Sequence, residues 1–109
     1  MATIYKVLGQ SAPSATTDTT LYTVPSATDA VVSTIVVCNR SASARTYRIA
    51  VRPAGASIAN QHYLAYDVAI AANDSTALTL GITLDATDVI TVRASTADLS
   101  FTAFGSEIS

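Results

Sequence analysis

Apolar and polar positions alternate with a period close to two along almost the whole chain. No 3.6-residue stripe lasts for a helical length, so strands alone are expected. The pattern is densest at residues 30–51, AVVSTIVVCNRSASARTYRIAV, which reads as a hairpin that organises the fold. Ser26-Ala-Thr-Asp29 resembles a helix-capping box, but the β-branched run Val31, Val32, Ile35, Val36, Val37 behind it favours a strand. Strict alternation sends Val32, Thr34, Val36 and Cys38 to one face and Val31, Ser33, Ile35 and Val37 to the other. Both sets are largely apolar, so this strand is expected at the centre, covered on both sides, with Val36→Asp abolishing soluble folding. A polar turn at 39–44 returns the chain as 45–52. There Tyr47, Ile49 and Val51 alternate with Thr46, Arg48, Ala50 and Arg52, one face buried and the other carrying two arginines.

The remaining segments read the same way. Residues 2–8 form a first strand, and 10–19, with Ala-Pro-Ser and a Ser/Thr/Asp cluster, form the longest loop. Residues 20–24 are a short strand stopped by Pro25, which lacks a ladder donor. Residues 61–70 place His62, Leu64, Tyr66, Val68 and Ile70 on one face and Tyr63, Ala65, Asp67 and Ala69 on the other, before a turn at Asn73-Asp74-Ser75. Strands follow at 76–82, with Gly81 as a candidate bulge, at 89–95 after a turn at 85–88, and at 99–104. Eight strands with short connections and no crossover helix imply one all-β domain over 1–109. It is expected to be an antiparallel β-sandwich of jelly-roll type, with a small β-barrel as the alternative.

Composition then narrows the surface. Charged residues are 13% of the chain against about 25% in ordinary soluble domains. Lys6 and Glu107 are the only lysine and glutamate, and Ala, Ser and Thr make up nearly half of the sequence. Monomers keep themselves soluble with interspersed charge, so a net charge of −2 here implies a surface covered by copies of the chain or by partners. The alternative is a Thr-rich β surface on a stable monomer. A single cysteine, Cys38, permits no intrachain disulfide and fits reducing cytosol or a particle assembled there. Cys38 itself reads as a small buried residue on a core strand. No signal-peptide pattern and no apolar run of about 20 residues occurs, so no membrane partner is expected.

Candidate chemistry is sparse. His62 is the one histidine, and Asp67 on the same strand lies about 16 Å away at roughly 3.3 Å per residue, on the opposite face, so the two make no catalytic pair. Most carboxylates fall in turns, where aspartate caps its own backbone. Asp85 and Asp88 lack the spacing of a calcium loop, one His and one Cys make no transition-metal site, and the glycines are isolated. Neither an enzyme nor a cofactor is expected. An isoelectric point near 4.9 argues against nucleic acid. Four of the five arginines, Arg40, Arg45, Arg48 and Arg52, lie on the organising hairpin, where they pair with Asp67 or with acids of a neighbouring subunit. Among the tyrosines, Tyr47 and Tyr66 fall on core faces, which leaves Tyr63, then Tyr5 or Tyr22, as exposed rings for packing or for stacking a sugar.

Three segments, VVCNRSASARTYRIAV, QHYLAYDVAIAANDS and LSFTAFGSEIS, resemble small structural proteins of tailed bacteriophages. In that group a strand ending in CNR or NR turns through a Ser/Ala/Thr-rich loop into a TYRIAV-like strand. The resemblance implies a non-enzymatic virion component, a β-sandwich that assembles as a homo-oligomer, with a trimer as first expectation, alongside other virion proteins. A tail, baseplate, neck or fibre position is expected, with capsid decoration as the alternative. A carbohydrate-binding module using Tyr63 is the reading from another class. The residues expected to touch a partner subunit are Arg40, Arg45, Arg48, Arg52 and Tyr63.

Overall fold

The computed structural model describes residues 2–109. Eight strands follow in order: β1 (Thr3–Ser11), β2 (Thr19–Thr23), β3 (Asp29–Asn39), β4 (Arg45–Arg52), β5 (Tyr63–Ile70), β6 (Ser75–Leu84), β7 (Val89–Ala94) and β8 (Leu99–Ile108). Two 3-10 turns, Pro53–Gly55 and Asn60–His62, interrupt the link from β4 to β5. The strands pair antiparallel in two separate sheets, β1-β8-β3-β6 and β2-β7-β4-β5. Every connection except β4–β5 crosses between sheets, which is the jelly-roll order. Because no strand is shared, the fold is a sandwich and not the barrel held as the alternative. No helix among the described residues is long and apolar enough to cross a membrane.

The expected hairpin at 30–51 is instead an arch. β3 pairs with β8 and β6, β4 with β7 and β5, so the two strands lie in facing sheets. Each has one strongly apolar face, and arching lets both faces meet. Asn39 holds the arch: it is 1% exposed, and its Nδ2 lies within hydrogen-bond reach of the carbonyls of Ser43 (2.9 Å), Ala71 (3.1 Å) and Ile70 (3.3 Å). Its Oδ1 accepts from the Ser41 amide. Between the sheets, Ile35, Val37, Leu99, Phe101 and Ala103 meet Tyr47, Ile49, Ile90 and Val92, with the Tyr47 and Phe101 rings edge to face.

Bulges decide which side chains reach that core. In β3 the register with both neighbours shifts at Ser33, so Ala30 and Val32 are buried before it and Ile35, Val37 and Asn39 after it. Gly81, with φ of 61°, is the matching irregularity in β6, where a bulge was expected. Gly105 lies where β8 meets the bulge, and a Cβ there would overlap the Val31 carbonyl. Two expectations fail here. The set Val32, Thr34, Val36, Cys38 is split at Ser33, and an antiparallel sheet of a two-layer sandwich is covered on one face only. Thus β3 is central within its sheet, but Val36 and Cys38 lie half-buried on its outer face.

In β5 the register shifts twice, and Asp67 occupies the left-handed region at φ 51°. This breaks the expected alternation: Tyr66, assigned to the core, is 56% exposed. The loop expected over 10–19 shortens because β1 continues to Ser11 and β2 begins at Thr19.

Candidate functional site: the outer faces of the sandwich

The four hairpin arginines do not form one patch. Arg40, in the turn after β3, donates to Ser100 Oγ (3.0 Å) and the Ala97 carbonyl (2.8 Å), and Arg45 pairs with Asp98 at 3.3 Å. Both lie at the end of the sandwich. Arg48 and Arg52 share the outer face of the β2-β7-β4-β5 sheet, as alternation required. Arg48 grips Asp67 through two bonds, at 2.7 and 3.2 Å, which is the in-chain pairing anticipated for it. Arg52 donates to Thr91 Oγ1 (3.0 Å) and to the carbonyls of Gly55 and Ala56, fastening the 53–62 segment. Arg93, directly opposite Arg48 in the register, stands 3.7 Å from Asp18. Each arginine therefore has a partner within the chain.

Around Arg48 an aromatic cluster forms. Its guanidinium lies 4.0 Å from the centroid of the Tyr66 ring, and Tyr63 meets Tyr66 edge to face at 4.9 Å. The bulge at Asp67 brings these groups together by turning Tyr66 outward and aiming the carboxylate at Arg48. Hydrogen bonding from Arg48 holds the Asp67 carboxyl below its ordinary range and pushes the guanidinium up. Beside the cluster, Thr16, Thr46, Arg48, Asp67, Arg93 and Ser95 line a cleft of about 90 Å³.

The opposite face, on β1-β8-β3-β6, is of another kind. Tyr5 and Phe104 are 84% and 40% exposed, and with Lys6, Val31, Ser33, Gly105 and Ser106 they line an open depression of about 570 Å³. The cross-strand register places Val7, Thr34, Val36, Ala77, Thr79 and Thr102 on the same side. Lys6, paired with Glu107, is the one charged residue among all of these. Asp29 at one end and Arg40 at the other are the nearest charges along β3 and the turn after it.

Groups considered for chemistry are engaged elsewhere. His62 Nδ1 accepts from the Ala59 amide and closes a 3-10 turn. Asp74, Asp85 and Asp88 accept from amides in their own turns, and Asp88 also accepts from the Ala54 amide of the 53–55 turn. No group of three metal-ligating side chains occurs among the described residues.

One cluster had no signal in the periodicity. Glu107 accepts from the Tyr22 hydroxyl at 2.6 Å and pairs with Lys6 at 3.1 Å, joining β8 to β2 and β1. The Tyr22 hydroxyl, then Lys6, holds the Glu107 carboxyl below its ordinary range, while burial first and the carboxylate second push the Tyr22 phenol up. A depressed carboxyl stabilises the fold above its unfolded pKa, about 4.3, and that contribution is lost as pH falls through the folded value. A raised phenol stabilises below about 10 and is lost as pH rises past it. The melting temperature is therefore expected to be flat between these limits and to fall on both sides. Glu107→Gln should lower the plateau and make the acid limb shallower; an unaltered acid limb would show that this pair does not carry it.

A scan against family models and searches of curated proteins and of solved structures matched nothing.

Proposed function

We propose that the chain is a non-enzymatic structural protein of a tailed-bacteriophage virion, self-assembling and associated with the tail, baseplate, neck or fibre. Capsid decoration is the alternative position. The observation that carries this reading is the outer face of the β1-β8-β3-β6 sheet, a surface with two exposed rings and a single charge, Lys6, lining its depression, in a chain where charge is scarce. Such a face stays in water at a cost and is stabilised by a flat partner surface. The resemblance of three segments to phage structural proteins, and a jelly-roll architecture shared with viral capsid domains, point the same way.

Mass spectrometry of particles purified from a host lysate is expected to find the chain at a constant ratio to the major capsid protein. Its absence from purified particles would overturn the reading. The Tyr63–Tyr66–Arg48–Asp67 cluster favours a second reading, carbohydrate binding on the opposite face. A saccharide titration followed by tyrosine fluorescence separates the two, since a structural surface gives no saturable response.

A further inference from the structure

The four edge strands of the sandwich are not equally protected. Edge strands offer unpaired N–H and C=O groups, and proteins that stay monomeric blunt them with charge, bulges, proline or shortness. β1 carries Lys6 and a bulge at Leu8, and it packs against β2, with Gly9 so close to the Leu21 carbonyl that a Cβ would overlap it. β2 is five residues long. β5 carries Asp67 in its bulge, clamped by Arg48. β6 has none of these devices from Ser75 to Thr79: its sequence STALTLGITL has no charge and no proline, and its irregularity comes only at Leu80 and Gly81.

The side of the sandwich that β6 borders is also open. On the far side the backbones of β1 and β2 approach closely and close the sandwich, an approach that β5 and β6 do not make. The register turns Val68 and Leu78 toward the interior, opposite buried Tyr47 and Ile35, yet Val68 remains 39% exposed and Leu78 only partly buried. Leu64 and Leu80, on the same two strands, are 50% and 47% exposed. The core is thus incomplete along one edge, and the gap is apolar.

We propose that β6 pairs antiparallel with β6 of a second copy of this chain about a two-fold axis, continuing the β1-β8-β3-β6 sheet across the dimer and covering the open side. A two-fold contact sets a patch against itself, so any charge near the axis meets its own like. β6 satisfies that condition. Every other strand of comparable length carries a charged residue: Lys6, Asp29, Arg48, Asp67, Arg93 or Glu107. The stretch in regular register, Ser75–Thr79, centres the pairing on Ala77, which opposes Ala77 to its copy and Thr76 to Leu78. The proposal rests on the self-assembly reading above and names the strand that executes it.

The test uses two variants of the full chain, Ala77→Lys/Thr79→Lys and Ala77→Glu/Thr79→Glu, at positions that are exposed. Sedimentation velocity of the wild type is expected to give two chains per particle. Each variant alone should be a monomer, with dimerisation weakened on the order of 100-fold by like charges across the axis. Mixing the two variants should restore the dimer. In the wild type, exchange of the β6 amides should slow as concentration rises, a readout independent of either variant. Variants that keep the wild-type mass, a mixture that stays monomeric, or a wild type of three chains would overturn the β6 contact and leave self-assembly standing. A wild type that is monomeric at every concentration would overturn both.

Discussion

Ile35→Asp is expected to leave no cooperatively folded protein, while Val36→Asp, one residue along the same strand, keeps a sigmoidal melting curve. Ile35 is 1% exposed and packs between the sheets, so a carboxylate there has neither water nor a cation. Burial of an unpaired charge costs more than the roughly 5–15 kcal/mol that holds a typical domain together. Val36 lies past the Ser33 bulge on the half-covered outer face, where an added carboxylate reaches water. Its loss of apolar contact is worth about 1 kcal/mol, or roughly 4–8 °C in a domain of this size. Strict alternation from Val32 would put Val36 in the core, so the pair of variants tests the bulge itself. Unfolding of Val36→Asp together with survival of Ile35→Asp would mean that the register is wrong.

Asn39→Ala is expected to cost about 3 kcal/mol, because buried carbonyls lose their donor. The side chain bonds the 40–44 turn to the β5–β6 connection, so its loss loosens the arch and the neighbouring end of β6 together. Urea unfolding should show a midpoint lowered by about 1–3 M at an unchanged slope, given slopes of about 1–3 kcal/mol per molar for small proteins. A midpoint within experimental error of the wild type would show that the turn closes without the amide.

The parts of this fold that were legible in the sequence rest on local physics. Alternating positions gave eight strands because a pleated strand needs nothing but period two, and turns at 39–44, 73–75 and 85–88 announced themselves through Asn, Asp and Ser. The jelly-roll order was readable only as a class, since strand count and short links do not choose partners; hence β3 and β4 looked like a hairpin. Bulges were the main loss. Ser33 and Asp67 carry no mark of one, because a bulge is set by what the neighbouring strands present. From those two positions follow the misplacement of Val36 and Cys38 and of Tyr66, and with Tyr66 the whole Arg48 cluster. Gly81 was visible because glycine advertises its backbone freedom.

The candidate contact residues divide in the same manner. Arg48 and Arg52 share a face as their spacing demands, but Arg40 and Arg45 belong to the end of the sandwich, and all four are held within the chain. The scarcity of charge that composition indicated is concentrated on the outer face of the β1-β8-β3-β6 sheet and along the edge at β6. Neither is visible along a single strand, because both depend on which strands end up outermost.

Self-assembly is the claim on which the functional account turns. Static light scattering of the purified full-length chain, followed over a wide range of concentration, measures it directly. The particle mass is expected to settle at two or more times the 11.2 kDa of one chain. A mass that stays at one chain throughout would contradict it.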